Sequence, residues 1–373
     1  MLRSYRYRLY PTKKQAVVLK DILFTACRLY NHALAFRRKK WKESRYSVTY
    51  YEQSAMWRDW RNEEPENNYT RILNMTAGQQ ILRRLDKAYK EFFKGKRGKP
   101  RFQKSSRFSS VAFKPGDGAQ VKNSFLYIQN VGLIKIRWHR LLPECQLKNI
   151  IVLRKPSGWY VLLQIEIPDR QPIQNNNPAV GTDVGITHAL ALSDGAIIDS
   201  PRYLDNSIKK LRRLQRAISR KKKGSNRRKK AVKKVAALHE HIGNQRLDFW
   251  HKTTHRLVND YGIFYLEDLN LRFMLRNKHL SRVSHDIGLG FFRLLLSYKA
   301  VEAGALIKTV NPKNTSQICS DCGCIVQKSL NIRIHACPEC NLILDRDVNA
   351  ARNILLLGRS SQALTQPTRV FVV

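Results

Sequence analysis

The chain has 373 residues, 43% of them hydrophobic, and 69 Lys and Arg against 28 Asp and Glu give it a formal net charge of +41. A chain this basic repels itself unless a polyanion neutralises it, so the composition predicts a nucleic-acid partner. It excludes a membrane protein, because no apolar run approaches the roughly 20 residues of a spanning helix and the N-terminus lacks the apolar segment of a signal peptide. We therefore expect a cytoplasmic protein with two or more packed cores.

The first part of the chain predicts a strand, two long helices and a small barrel. Residues 3–9 alternate between apolar and polar side chains, and Thr12 with Gln15 forms a capping box that opens a helix to about residue 40. A polar, Trp-containing segment separates this helix from a second one over residues 70–93. At residues 95–108 the composition turns basic, polar and rich in glycine, and four strands follow, which predict an antiparallel barrel that the N-terminal strand joins: 125–129, 133–138, 149–154 and 159–167.

After a linker over residues 171–179, the pattern changes to strands that alternate with helices. The Asp194-Gly195 turn predicts a hairpin, and Gly224-Ser225 is predicted to break a long helical region. The predicted elements are strands at 180–183, 189–192 and after residue 195, helices over 206–260, a strand at 262–268, a helix over 286–303, a strand at 306–310 and a last helix from Asp345.

The segment 209–234 contains 15 Lys or Arg and no acid. A charge run usually marks a solvated helix face, but this one is too dense and too single-signed to stay unpaired. We expect it to bind phosphates, and affinity for nucleic acid should then fall steeply with salt. The residues expected to bind nucleic acid here are Lys209, Lys210, Arg212, Arg213, Arg220, Lys221, Lys222, Lys223, Arg227 and Arg228.

Four cysteines near the C-terminus form two C-x2-C pairs with 14 residues between them: Cys319 with Cys322, and Cys337 with Cys340. Each pair can place two thiolates on one ion through a tight turn, and two pairs complete a tetrahedron around zinc. Four protein ligands leave no open position for water. The spacing therefore predicts a structural zinc site.

Three acids stand at corresponding places in the second half of the chain. Asp183 ends the first predicted strand there, Glu267 ends a later buried strand, and Asp347 opens the last helix. This is the layout of an RNase H-like fold, and converging carboxylates could hold two Mg²⁺ ions about 4 Å apart. For Asp345 and Asp347, capping of the helix N-terminus is an equally good interpretation of the local sequence.

Motifs along the whole chain are similar to those of one known family. They are YRYRLYPTKKQ with CRLYNHAL, GQQILRRLDKAYKEFF followed by GKPRF, GTDVGITHALALSDG, LRRLQRAISRKKKGSNRRKK, NQRLDFWHKTTHRLV, YLEDLN, TSQICSDCG and ACPECNLILDRDVNAARNIL. In this order they resemble TnpB (OrfB), the transposon-encoded RNA-guided DNA endonucleases related to the type V CRISPR effectors.

The resemblance implies an α+β protein of several domains. A wedge-type β-barrel would comprise residues 1–10 and 99–175, with a helical recognition domain over 11–98 inserted in it. A RuvC-like nuclease domain of the RNase H-like class would comprise 178–314 and 342–373, with a zinc ribbon over 315–341 inserted in it.

The resemblance also implies site residues, cofactors and partners. Asp183, Glu267 and Asp347 would be the catalytic acids and the ligands of two Mg²⁺ ions, with Asp347 rather than Asp345 as the catalytic acid of the DRD signature. Tyr50 and Gln79 would read the short DNA motif that flanks the target. The expected partners are a guide RNA from the transposon end and double-stranded target DNA, and we expect a monomer. Local departures from the family pattern, at Thr182 and Cys324, leave the three acids intact.

Three other functions are consistent with parts of the sequence. A nuclease-inactive, RNA-guided DNA-binding repressor would bind a matched target without cutting it, although the intact acids argue against it. A transposase that needs no RNA would use the same acids for strand transfer. A zinc-ribbon binding module would have no chemistry, and substitution of Asp183 would then change no activity.

Overall fold

The computed structural model describes residues 2–63, 70–143, 146–168, 175–185, 187–268, 281–329 and 332–360. The chain divides into two compact units, residues 1–169 and 170–373. No helix within the described ranges is long and apolar enough to cross a membrane.

A closed seven-stranded barrel forms the β part of the first unit, in the order β1-β5-β4-β3-β2-β6-β7. Its strands are β1 (Leu2–Tyr10), β2 (Ser110–Pro115), β3 (Gly118–Lys122), β4 (Phe125–Ile128), β5 (Gly132–Arg137), β6 (Gln146–Lys155) and β7 (Gly158–Glu166). The alternation in β1 buries Tyr5, Tyr7 and Leu9 in the barrel. The predicted barrel is confirmed, but β2 and β3 were not predicted, and the short β2–β3 pairing is parallel rather than antiparallel.

Among the residues of this unit that the structure describes, three helices accompany the barrel: α1 (Lys13–Ser44), α2 (Tyr50–Glu63) and α3 (Met75–Phe93). The Thr12–Gln15 capping box is present at the start of α1. The first and third helices were predicted, although α3 begins at Met75, where the Asn74 side chain accepts the first free backbone N–H groups.

The helix α2 was not predicted, because its inward face carries polar as well as apolar residues. Its N-terminus is held by Thr49, whose backbone N–H donates to the Glu52 carboxylate and whose hydroxyl accepts from the Glu52 backbone N–H. Gln53 is fully buried and donates to the carbonyl oxygen of Ala33. Trp57, one turn later, is also fully buried. Because a glutamine occupies a buried position, the hydrophobic residues alone do not show the helical period, and the pattern did not predict a helix.

A five-stranded sheet organises the second unit, in the order β10-β9-β8-β11-β12. The strands are β8 (Ala179–Asp183), β9 (His188–Leu192), β10 (Ile197–Asp199), β11 (Ile263–Glu267) and β12 (Leu306–Val310). Strand β11 is parallel to β8 on one side and to β12 on the other. Strands β8, β9 and β10 form an antiparallel meander. All five strands were predicted.

The helices in the described part of this unit are α4 (Tyr203–Ser219), α5 (Asn226–Asp260), α6 (Ser281–Ile287), α7 (Leu289–Glu302) and α8 (Arg346–Arg359), and a small hairpin pairs β13 (Ile334–Ala336) with β14 (Ile343–Asp345). The predicted helix over 286–303 is two helices, because Gly288 takes a positive φ of 72° between them.

Two glycine contacts fix α8 against the sheet. A Cβ on Gly181 of β8 would lie 2.1 Å from the carbonyl oxygen of Ala351 and 2.6 Å from the backbone nitrogen of Leu355. A Cβ on Gly358 would overlap the ring of Tyr265 on β11. The helix backbone therefore lies directly on the strands, which sets the position of its first residues.

Candidate metal centres and nucleic-acid surface

The three predicted acids lie at one edge of the five-stranded sheet. Asp183 and Glu267 are the last residues of β8 and β11, which are parallel neighbours with Leu266 paired to Thr182, so their carboxylates leave the sheet side by side. Asp347 lies in the first turn of α8. Its Oδ2 is 3.4 Å from the position that a Cβ on Gly185 would occupy, just beyond β8. Strand ends and a helix start thus bring together three residues that are far apart in sequence.

Burial and mutual repulsion make this edge electrostatically unfavourable without a cation. Burial, together with the negative charges of Glu267 and Asp347, raises the pKa of Asp183 to about 8. Burial also raises the pKa of Glu267, against the opposing effects of the Thr315 hydroxyl and the Arg293 charge. Glu267 and Asp347 are 8% and 6% exposed. Carboxylates held in this way are a suitable donor set for a hard cation such as Mg²⁺.

Neighbouring side chains contact Glu267 and Asp347, either at one carboxylate oxygen or at the backbone carbonyl oxygen. The Thr315 hydroxyl donates to Oε1 of Glu267, and Nη2 of Arg293 donates to the Glu267 carbonyl oxygen over 2.8 Å. Nη2 of Arg346 lies 3.3 Å from Oδ1 of Asp347. These contacts use Oε1 of Glu267 and Oδ1 of Asp347, and the other oxygen of Asp347 lies beside Gly185.

Capping of α8 belongs to Asp345 and not to Asp347. The Asp345 side chain accepts from the backbone N–H of Asp347 over 2.8 Å and from that of Val348 over 3.3 Å. The sequence left capping and metal binding equally open for these two acids. Because Asp345 supplies the cap, the Asp347 carboxylate is available for another role.

The four predicted zinc ligands form a compact cluster. Among the described residues, only these four bring their ligand atoms all within 4.8 Å of one another. The Sγ atoms of Cys319 and Cys340 are 3.6 Å apart, and those of Cys322 and Cys337 are 3.4 Å apart. A tetrahedron with Zn–S bonds of about 2.3 Å has edges of about 3.8 Å, so the arrangement fits zinc.

Without a metal, the thiols of the cluster differ in acidity. Backbone N–H groups of Cys340 and Glu339 lower the pKa of the Cys337 thiol to about 6, whereas burial and the neighbouring thiols raise the pKa of Cys340 to about 12. Thiolate is the form that binds zinc. The carboxylates of Asp183, Glu267 and Asp347 are arranged differently from the cysteines: they face a shared space, but their oxygen atoms do not converge on one point.

Two buried asparagines join the first zinc knuckle to the helix that carries Asp347. Asn349 donates to the carbonyl oxygen of Ile318 over 2.7 Å and accepts from the backbone N–H of Ser320 over 3.0 Å. Asn353 donates to the carbonyl oxygens of Ile318 and Thr315 over 2.6 and 2.8 Å. Neither asparagine was predicted, because two polar residues four apart on one helix face do not indicate the distant backbone groups that they bind.

The predicted phosphate-binding residues lie on α4, the turn after it and the start of α5. Arg228 differs from the others, because its Nη1 donates to the carbonyl oxygens of Ile218 and Lys221 and so joins the end of α4 to α5. Arg228 and Lys221 are half-buried. The exposed members are Lys209, Lys210, Arg212, Arg213, Arg220, Lys222, Lys223 and Arg227.

The two residues expected to read a flanking motif belong to α2 and α3. Nε of Arg83 donates to the Tyr50 hydroxyl over 3.1 Å, and its guanidinium lies over the Tyr50 ring at 5.2 Å. Gln79 is half-buried and stands one helical turn before Arg83. Arg83, which the sequence analysis did not single out, is thus a further member of this surface.

Three family descriptions match consecutive parts of the chain. The helix-turn-helix domain of the OrfB_IS605 group matches residues 1–45, and OrfB_IS605, described as a probable transposase, matches residues 162–278. The TNB domain of the Cas12f1-like group matches residues 290–354, which include the four cysteines and Asp347.

A solved structure shares the fold. A Cas12f1 protein determined by cryo-EM in complex with sgRNA and target DNA is 16% identical in sequence and superposes with a TM-score of 0.59 over 92% of this chain and 83% of its own. At this identity the likeness shows the fold alone.

Relatives match over nearly the full chain. A putative RNA-guided DNA endonuclease of Streptomyces pristinaespiralis is 34% identical over 97% of this chain and 90% of its own length. The putative RNA-guided DNA endonuclease InsQ of Escherichia coli K12 is 28% identical over 96% of this chain and 93% of its own. This chain belongs to the TnpB (OrfB) family.

Proposed function

We propose that this protein is an RNA-guided DNA endonuclease that hydrolyses phosphodiester bonds at Asp183, Glu267 and Asp347. The observation that carries the proposal is the convergence of these three acids at one edge of a sheet whose strand order is that of RNase H-like nucleases. The names of the relatives support the reaction class. In this view residues 178–314 and 342–373 form a RuvC-like domain, and residues 315–341 form the zinc ribbon inserted in it.

The side chains would hold and orient the reacting groups. Two bound Mg²⁺ ions would supply Lewis-acid activation of the attacking water and of the leaving oxygen. The Thr315 hydroxyl would fix the rotamer of Glu267, and Arg346 would hold one oxygen of Asp347, so that the second oxygens point into the shared space. Asp183, with its raised pKa, would have to lose its proton before it could bind a cation.

The zinc ribbon would act on catalysis through position. The cysteine cluster fixes the first knuckle, and Asn349 and Asn353 bind the backbone of this knuckle from α8. Displacement of the knuckle would therefore displace Asp347 and Thr315 together. Four thiolate ligands leave the zinc without an open position for substrate, so its role is structural.

The remaining surfaces would serve the nucleic acids. The exposed Lys and Arg residues of α4 and α5 would hold the guide–target heteroduplex by its phosphates, while base pairing with the guide reads the sequence. Tyr50 and Gln79 would read the flanking motif. Residues 1–10 with 99–175 and residues 11–98 would then be the wedge-type and recognition domains.

The test is cleavage by the purified protein with the RNA that copurifies with it. This RNA would be sequenced, and a DNA that matches its guide segment would be offered with a library of flanking sequences, in Mg²⁺ and in EDTA. We expect cutting only in Mg²⁺, only of matched DNA and only beside particular flanks. Random host RNA in the preparation, or binding of matched DNA without cutting, would contradict the proposal.

A transposase that needs no RNA is the second candidate, because the family matched by residues 162–278 is described as a probable transposase. It would use the same acids for strand transfer at element ends. Protein stripped of RNA that still cuts or joins those ends would establish it. Loss of all activity on RNase treatment, with recovery when the copurifying RNA is added back, would exclude it.

A further inference from the structure

A cleft of about 700 Å³ lies in the first unit between α1 and α3. It forms because Arg45 adopts a left-handed conformation, with φ 54°, and donates its backbone N–H to the carbonyl oxygen of Trp41. This cap reverses the chain after α1, so that residues 45–48 form one wall of the cleft. The volume is within the roughly 300–1,000 Å³ of small-molecule sites.

The walls of this cleft combine aromatic rings with positive charge. Five of its lining residues are aromatic, five are Lys or Arg, and none is acidic. Such a combination fits a ligand that has both a π face and a negative charge.

The aromatic residues are exposed although they belong to long helices. Trp41 is 48% exposed at the end of α1, and Phe93 is 72% exposed at the end of α3. The Phe93 ring stacks against Tyr89 with centroids 6.1 Å apart and an angle of 29°. Exposed rings of this size that lie close together mark a surface that binds something.

The cations of the cleft are not all used within the protein. Arg37 is used within the protein, because it pairs with Asp86 and with Gln53. Arg45 lies over the Trp41 ring at 5.8 Å, and Lys42 and Lys99 are exposed at the rim.

Arg38 also lines the cleft. Its guanidinium lies 4.8 Å from the centroid of the Phe102 ring and donates through Nη2 to the carbonyl oxygen of Pro100. Its Nε is buried and has no acceptor within the part of the chain that the structure describes.

We propose that the cleft binds one unpaired nucleotide of an RNA, with its base stacked on Trp41 and Phe93 and its phosphate held by Lys42 and Lys99. The proposal deepens the proposed function, because it names a contact of the RNA that this function requires. RNA is favoured over DNA, since RNA loops and bulges present splayed bases to aromatic and Arg side chains before any target is bound, whereas a target duplex presents unpaired bases only after the guide has opened it.

The experiment compares Trp41→Ala, Trp41→Phe and Phe24→Ala with the wild type. Phe24 is the matched control, because it lies on the same helix, is also 48% exposed and does not line the cleft. The probe is the RNA that copurifies with the wild-type chain, transcribed in vitro, and the readout is its dissociation constant. We expect Trp41→Ala to weaken binding about tenfold, as for the loss of one stacked base, and the other two variants to change it less than twofold.

A second series locates the nucleotide. RNAs in which one unpaired nucleotide at a time lacks its base are bound to the wild type and to Trp41→Ala. One abasic position should weaken binding to the wild type about tenfold and cause no further loss in the variant, which is the signature of a direct contact in a double-mutant cycle.

The outcomes separate this inference from the proposed function. Equal affinity of Trp41→Ala and Phe24→Ala for RNA, or additive losses at every abasic position, would overturn the inference. Unchanged RNA affinity with weaker binding of target DNA by the RNA-loaded protein would assign the cleft to DNA and equally overturn it. These experiments measure RNA affinity and not cleavage. An RNA-loaded wild type that never cuts DNA would therefore refute the proposed function without affecting the RNA site.

Discussion

The cysteine cluster and the carboxylate cluster lie in the same unit of the chain but are built in opposite ways. The four cysteines come from one short segment, and their sulfur atoms close to within 4.8 Å of one another. The three carboxylates come from β8, β11 and α8 and are held apart in a buried space where the pKa of Asp183 is about 8. A site built locally can complete itself around an ion, whereas one built from distant elements depends on the whole sheet and on the partners that orient each acid.

The strongest test of this contrast is Asp347→Ala. We expect cleavage to fall more than 100-fold, since loss of an outer-sphere partner alone costs about 10–100-fold at a metal site. Binding of the RNA and of target DNA should remain, as should the fold. The matched control is Asp345→Asn, which keeps the cap of α8 and should retain cleavage. Unfolding of Asp347→Ala in thermal melts would show that this residue is required for the fold, and the loss of cleavage would then not be evidence for a catalytic role.

Breaking the zinc site tests whether the two clusters are coupled. Cys337→Ser should abolish stoichiometric zinc and reduce cleavage about 10–100-fold, because the knuckle that Asn349 and Asn353 hold would move α8. Added Mg²⁺ should not restore the rate. Cys324→Ser, a cysteine outside the four ligands, should keep both zinc and activity. Full cleavage by zinc-free Cys337→Ser would refute the coupling.

The orientation of Glu267 by Thr315 is a smaller effect. Thr315→Val removes the hydroxyl and keeps the shape, so the half-saturating Mg²⁺ concentration for cleavage should rise about tenfold. Thr315→Ser keeps the donor and should behave as the wild type. A rate that falls without any change in Mg²⁺ dependence would place the role of Thr315 elsewhere.

The smallest expected effect concerns the stability of the metal-free protein. The pKa of Asp183 is about 8 in the folded chain against an ordinary 3.8. The folded state therefore keeps a proton that the unfolded state releases, and the stability from this group is full below pH 3.8 and is lost as the pH rises to about 8.

Asp183→Asn should remove this loss of stability with rising pH. In urea unfolding at pH 7 with EDTA, we expect the variant to be more stable than the wild type by at least about 1.4 kcal/mol, which corresponds to a tenfold change in proton affinity. The difference should shrink toward pH 4. A variant that is less stable than the wild type at pH 7 would mean that the Asp183 carboxylate is not repelled by its neighbours.

Periodic segments and local motifs were predictable from the sequence, and segments with a short or polar pattern were not. The five strands around Asp183 and Glu267 and the zinc spacing were visible because each is encoded in a short stretch. Strand β2 was missed because only Val111 and Phe113 are buried in it and it ends in a proline. Helix α2 was missed because Gln53 occupies a buried position.

At the site, the residue types were predictable but their supporting contacts were not. Asp347 was preferred over Asp345 by resemblance alone, and only the geometry shows that Asp345 caps the helix. Thr315, Asn349 and Asn353 were overlooked because each acts through a partner brought near by folding. Such residues carry no signature of their own in a single sequence.

The junction between the zinc module and α8 contains no spare residue. Asp345 is both the last residue of β14 and the cap of the helix, so the hairpin runs into α8 without a linker. Each residue of an α-helix advances the chain by about 100° around the axis. Because Gly181 and Gly358 hold the helix in place, one residue inserted after Asp345 would leave Asp347 where it is and would displace the Asp345 cap and the β14 hairpin by about 100° around the helix axis. The length of this junction is therefore under a stricter constraint than most of its side chains.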